Sequence, residues 1–229
     1  AQQFAKHQWS AAPMGEHIQT NDAVAPQSII NPARHSDVVG YVQEATTEQV
    51  EQALNNAQAV QDIWARTAKD TRASYLLRAA DLMEARLEEL MVLLCRESGK
   101  TYANAIAEVR EAVDFLRYYA TQMIDLDANA EVEPLGTMLC ISPWNFPLAI
   151  FTGQVAAALG AGNTVIAKPA EQTPLIAAQA IQILWQAGVP QAAVQLMPGR
   201  GETVGAQLSA AEQVQGIMFT GSTEVAKIL

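Results

Sequence analysis

From Thr137 onward, short β-branched and apolar runs alternate four times with helical patterns, and this alternation constrains the fold more than any other feature. Thr137 to Ile141, Thr164 to Ala167, Ala193 to Met197 and Gly216 to Phe219 read as strands. Ala149 to Leu159, Thr173 to Ala187, Glu202 to Leu208 and a start at Thr223 read as helices. Connections this short imply parallel strands joined by right-handed crossovers, hence a doubly wound, Rossmann-like α/β sheet. Pro147, Pro169, Gly199 and Gly221 stand at the four strand-to-helix joins. In such a sheet this carboxyl edge is where ligands bind.

The residues before the sheet predict a helical layer over about 47–124. Thr46 or Thr47 can cap a helix that opens at Gln49 and Val50 and runs to about Asp62. Leu76, Ala80, Met83, Leu87, Leu90 and Leu94 recur at spacings of three and four, as one long amphipathic helix stopped by Gly99. A third helix from Thr101 carries Ala105, Val109, Ala112, Leu116 and Tyr119 on one stripe, which leaves Glu108, Arg110, Glu111 and Arg117 as solvated charge. Upstream, Ile29 to Pro32 and Val38 to Val42 suggest a hairpin. Residues 1–26, rich in Gln, Ala and His and broken by Pro13, Gly15 and Pro26, read as a leading arm or linker. The folded unit is then 27–229, with βα units over about 137–229.

Half of the 229 residues are hydrophobic, enough for a substantial core. A net charge of −10 argues against nucleic-acid binding, which needs clustered Lys and Arg. No run approaches the roughly 20 apolar residues of a membrane span, and no basic-then-apolar leader opens the chain, so a cytoplasmic setting is expected. Cys95 and Cys140 are too few for a disulfide framework or a cysteine-rich metal site, and both fall in apolar patterns that favour burial over nucleophilic use. His7, His17 and His35 lie in polar surroundings without ligand spacing, so no metal is expected.

Four features carry chemistry. Asn145, held between Trp144 and Phe146 and bounded by Pro143 and Pro147, is an amide suited to stabilising an oxyanion or to capping the next helix. Lys168, fixed at a strand end, and Glu171 can hold the paired hydroxyls of a ribose, or form an exposed ion pair. Ser222 opens a helix whose free N–H groups suit an anion, or simply caps it. Gly199, Gly201 and Gly205 approach a dinucleotide fingerprint but with three residues between the last two glycines, so a tight turn explains them equally well.

Ser142-Pro143-Trp144-Asn145-Phe146-Pro147, the stretch from Ala161 to Pro174 and Phe219-Thr220-Gly221-Ser222-Thr223-Glu224-Val225 together resemble the NAD(P)-dependent aldehyde dehydrogenase superfamily, from about Ile29 onward. That resemblance implies a Rossmann-like aldehyde dehydrogenase fold binding NAD and a small aldehyde. By it Asn145 is the oxyanion amide, Lys168 and Glu171 hold the adenosine ribose, and Ser222 meets the pyrophosphate. Gly201, Gly205 and Val225 line the adenine pocket, with Ser142, Trp144, Phe219 and Gly221 completing the cofactor site.

Glu111 to Ala120 and Cys140 to Gln154 are similar to the L-glutamate γ-semialdehyde (1-pyrroline-5-carboxylate) dehydrogenase branch, and within it to bifunctional bacterial flavoenzymes of proline use. The resemblance implies NAD-dependent oxidation of the semialdehyde to glutamate in proline catabolism, with Glu111 and Phe146 approaching the substrate. Family chemistry also needs a nucleophilic cysteine and a water-activating glutamate. By the family order of motifs both follow the Gly221-Ser222-Thr223 block, beyond residue 229, so the expectation is a truncated NAD-binding domain that is inactive alone.

FAD, a proline dehydrogenase domain, a DNA-binding domain and any peripheral membrane association would belong to other parts of such a protein. The acid at Glu171 favours NAD over NADP by repelling a 2′-phosphate. The stretch Asp125 to Pro134 is short for the hairpin that pairs subunits in many family members, and an uncovered sheet edge favours association, so a homo-oligomer is possible. The alternatives are an enzyme for another semialdehyde, such as succinate semialdehyde, and a non-catalytic nucleotide-binding module.

Overall fold

A computed structural model describes residues 2–21, 23–125 and 133–229. A 3-10 turn at Gln2–Phe4 precedes strands β1 (Trp9–Ala11), β2 (Gln27–Ile30) and β3 (Val38–Val42). The expected hairpin is present as the antiparallel pair β2 and β3. The leading arm is not a linker: β1 adds to β3 in parallel, and Trp9 and Ala11 are buried. Indole Nε1 of Trp9 donates to Glu89 Oε1 at 3.1 Å, and Met14 exchanges two backbone bonds with Leu196. The Arg96 guanidinium, 2.6 Å from Asp37 Oδ1, also donates to the carbonyls of Phe4 and His7. A three-residue strand offers a single apolar alternation, too short to read from sequence.

The helical layer follows. In α1 (Thr47–Arg66) the capping box is complete, because Thr46 Oγ1 accepts from the Gln49 N–H while Gln49 Oε1 accepts from the Thr46 N–H. The long amphipathic helix is in fact two, α2 (Lys69–Ala85) and α3 (Leu87–Glu97). They join at Arg86, which leaves helical geometry with φ −102 and ψ 16. Its side chain bonds Glu89 Oε2 and Gln179 Oε1 of the later helix, which turns α3 onto the sheet layer. The apolar stripe survives the bend, with Leu76, Ala80, Met83, Leu90 and Leu94 all buried. Last comes α4 (Tyr102–Asp125).

The βα series runs β4 (Thr137–Ile141), α5 (Ala149–Gly160), β5 (Thr164–Lys168), α6 (Pro174–Ala187) and β6 (Val194–Leu196). A π-helical turn at Gly201–Gly205 leads into α7 (Ala206–Ser209), where one α-helix from Glu202 was expected. Then follow β7 (Val214–Phe219) and α8 (Thr223–Ala226). The sheet is wholly parallel in the order β6-β5-β4-β7. Alternate residues face opposite layers, as a pleated strand requires. Met138, Cys140, Val165 and Ala167 join the core under α5, α6 and the helical layer. Leu139 and Ile166 meet Val50, Ala53, Leu54 and Ala57 of α1 on the other side.

β5 and β6 are added on one side of β4 and β7 on the other, which makes the carboxyl ends of β4 and β7 the switch point. Ile141 stands in register with both Lys168 and Phe219, so three strands deliver their following loops at one level. No helix among the described residues is long and apolar enough to cross a membrane. The proposed subunit-pairing stretch Asp125 to Pro134 lies mostly outside the described residues.

Candidate functional site

Two cavities open side by side at this edge. One, of about 610 Å³, is lined by Ser142, Trp144, Asn145, Phe146, Phe219, Gly221, Ser222 and Val225 among others. Its neighbour, of about 350 Å³, is lined by Lys168, Glu171, Gly201, Gly205, Ser209 and Val225 among others. Ile141, Ala170 and Val225 belong to both walls. All the residues expected at the site are thus brought together except Glu111, which is exposed on α4 and lines neither cavity.

The loop after β4 is fastened at its start. The Ser142 N–H donates to the Lys168 carbonyl at 3.3 Å. Nε2 of Gln154 donates both to the Ile141 carbonyl at 3.2 Å and to Thr220 Oγ1 at 3.0 Å, which joins the loops after β4 and β7. At its far end the loop enters α5, and there the cap is Glu108 of α4, 1% exposed. Glu108 Oε1 accepts from the N–H groups of Leu148 at 2.8 Å and Ala149 at 3.3 Å, while Oε2 lies 2.9 Å from Lys100 Nζ. The expectation that Glu108 is solvated charge is therefore overturned. It follows Ala105 by three and precedes Ala112 by four, a place on the buried stripe that could have exposed its role.

Because Glu108 caps α5, Asn145 does not. Its side chain is exposed to solvent at the larger cavity and makes no hydrogen bond to another described residue. Beside it, the Phe146 ring receives Lys100 Nζ at 4.4 Å from its centroid.

At the smaller cavity Lys168 is 5% exposed, and Nζ donates to its own neighbour's carbonyl, that of Pro169, at 3.1 Å. Burial holds its ammonium below the usual lysine range, with Glu171, Glu202 and Glu44 pulling the other way. Lysine carries three N–H donors, so two remain for a ligand. Glu171 does not pair with it closely: its Oε1 accepts from the Gly201 N–H at 2.8 Å. A side chain at Gly205 would come within 3.3 Å of Lys168 Cε, so this glycine lets the turn lie against the lysine stem. The glycine-rich stretch is thus a π-helical turn packed on the Lys168 stem. Ser222 is the N-cap of α8, accepting from the Val225 N–H at 3.2 Å.

Neither cysteine lies at the edge. Cys140, the penultimate residue of β4, lines neither cavity, and burial pushes its thiol up to about 12, while partial burial also raises Cys95. The described residues hold no group of three or more His, Cys, Asp or Glu placed for a metal. Besides Glu108, sequence reasoning passed over Gln154, Glu202 and Glu97. Glu97 caps α6 by accepting from Leu175 and Ile176 at 2.7 and 2.9 Å. Only the tertiary partners of these residues mark them.

The profile of the aldehyde dehydrogenase family matches residues 18–229. Bifunctional protein PutA of Escherichia coli (strain K12) is 60% identical over 225 residues, covering 98% of this chain and 17% of that protein. The 1-pyrroline-5-carboxylate dehydrogenase of Anoxybacillus flavithermus is 40% identical over 223 residues, covering 92% of this chain and 43% of its own length. Among solved structures, 1-pyrroline-5-carboxylate dehydrogenase from Thermus with bound NAD superposes with a TM-score of 0.89 at 35% identity, covering 96% of this chain and 45% of the other. The chain thus spans less than half the length of each of these relatives.

Proposed function

The chain belongs to the aldehyde dehydrogenase family, and from that premise we propose that it forms the NAD-binding, oxyanion-stabilising half of an L-glutamate γ-semialdehyde dehydrogenase of proline catabolism. The observation that carries this reading is the meeting, at one switch point, of an unpartnered amide at Asn145 with a buried lysine that has donors to spare at Lys168. The residues fit the nucleotide. Lys168 and Glu171 hold the two hydroxyls of a ribose at the smaller cavity, where Gly201 and Gly205 permit close approach. Ser222, Gly221, Phe219, Ser142 and Trp144 line the path from there into the larger cavity, and Val225 stands between the two. NAD, when bound, supplies the electron acceptor.

Asn145 donates from its amide to the oxygen that gains charge as the aldehyde carbon is attacked, in a site walled by Trp144 and Phe146. Phe146 lies against the substrate; Glu111 keeps a substrate role only if the substrate reaches beyond this cavity. The nucleophile is neither Cys95 nor Cys140, whose raised thiols and burial oppose thiolate chemistry. It and the water-activating glutamate are contributed from outside residues 1–229, and this polypeptide by itself does not turn over. A cytoplasmic, homo-oligomeric enzyme is the accompanying expectation.

The test is NADH formation from 1-pyrroline-5-carboxylate by the intact enzyme that carries this chain. Asn145→Ala is expected to lower kcat about 100-fold, the scale for one oxyanion donor. Turnover of a different semialdehyde in preference, or NADH formed by the 229-residue chain alone, would overturn the reading.

A further inference from the structure

The entrance to α5 presents a question of supply: its first N–H groups need an acceptor, and the local side chain able to serve is Asn145. Were Asn145 to turn back and cap, its oxygen would be committed and its amide drawn from the cavity. That does not happen because Glu108 reaches in from α4 and takes the N–H groups of both Leu148 and Ala149. Lys100, on the link between α3 and α4, completes the device. Its ammonium lies 2.9 Å from the other Glu108 oxygen and over the Phe146 ring at 4.4 Å, touching the cap and the loop together.

We propose that Glu108 and Lys100 are positioning residues for the reaction, a buried acid–base tether that caps α5 in place of Asn145 and so keeps the Asn145 amide turned into the cavity. The inference rests on the oxyanion role read for Asn145, and goes beyond it by assigning the residues that hold that amide. The pair's burial supports it. The Glu108 side chain is fully enclosed and that of Lys100 is 12% exposed, so the pair is screened little by solvent and holds one geometry. The loop it holds is otherwise open, with Trp144 56% and Phe146 40% exposed.

The experiment is a double-mutant cycle in the intact enzyme, read as kcat and as NAD affinity. Glu108→Gln keeps an acceptor for α5 but removes the ion pair. Lys100→Met removes the pair from the other side. Each is expected to lower kcat about tenfold, within the range for a displaced catalytic group. NAD affinity should stay within about twofold, because the nucleotide is held at the other cavity. Lys100→Arg should restore most of kcat.

The decisive arm is the Asn145→Ala background, where neither change should slow the enzyme further, because the amide they position is gone. Full additivity of Glu108→Gln and Asn145→Ala, or an unchanged kcat in both tether variants, would overturn the proposal. A normal kcat for Asn145→Ala alone would instead sink the parent reading. Should Glu108→Gln fold poorly, the Lys100 variants carry the same cycle.

Discussion

Compared at their amino ends, α5 and α6 each receive a buried glutamate from the helical layer, Glu108 at one and Glu97 at the other. In both cases the local capping group is displaced. At α5 this is Asn145, left facing a cavity, and at α6 it is Thr173, whose buried hydroxyl has no hydrogen-bond partner. The difference is the counter-charge. Glu108 has Lys100, while Glu97 has no ion pair among the described residues, and burial pushes its carboxyl up to about 8 against two backbone donors that lower it. A cation has been placed where the capped loop projects into the larger cavity. At α6 the entrance is already stiffened by Pro169, by Pro174 and by the Glu171 bond to Gly201, and the acid stands alone.

Truncation should therefore cost unequal amounts. Glu108→Ala leaves Lys100 without its partner as well as two N–H groups without an acceptor, and is expected to destabilise by about 3–5 kcal/mol. Glu97→Ala removes a cap but relieves a buried acid, and should cost about 1–2 kcal/mol. Urea unfolding of both variants decides, and equal losses would erase the distinction drawn here.

The lone acid should also show in the pH dependence of stability. A carboxyl whose folded value lies near 8 rather than the usual 4.5 keeps its proton in the folded state while the unfolded chain has released it. The folded state therefore binds more protons between those two values, and stability falls as pH rises through that window, with the full loss reached above the folded value. Glu97→Gln has no such proton to lose, so the wild type should lose stability relative to this variant between pH about 5 and about 9, by up to about 5 kcal/mol in unfolding free energy and with a falling Tm difference as the readout. A constant Tm difference across that range would mean that the two caps are electrostatically alike.

An effect no larger than that of Glu97→Ala is expected where the two loops of the larger cavity are tied by a neutral group. Gln154→Ala deletes the bonds to Ile141 and Thr220 from a side chain that lies within α5 but takes no part in its cap. A loss of about 1–2 kcal/mol in thermal unfolding is expected for these neutral bonds. A loss as large as that of Glu108→Ala would shift the weight of the comparison from the cap to the loop tie.

The strands and helices from Thr137 onward were legible because each carries its own periodicity within a few residues, and the structure places them within one or two residues of those bounds, except at the π-helical turn. The glycines and prolines at the joins likewise marked the carboxyl edge of the sheet. The bend at Arg86 was not legible, since the apolar stripe runs through it unbroken and the cause is a contact with Gln179. Nor was β1, whose three residues gain order from β3 and from the Trp9 bond to Glu89.

The sequence by itself determined the doubly wound sheet, the order of its units and which side chains stand at the strand ends, because those depend on local pattern and short connections. Tertiary structure alone decided what those side chains are free to do. Asn145 stands where it could cap α5, yet the cap comes from Glu108, 40 residues before Leu148 in the chain. The cap of α6 comes from 78 residues before Leu175. Hydrogen bonds of that span leave no periodic trace, because the chain's pattern records which face is buried and not which distant group will satisfy it.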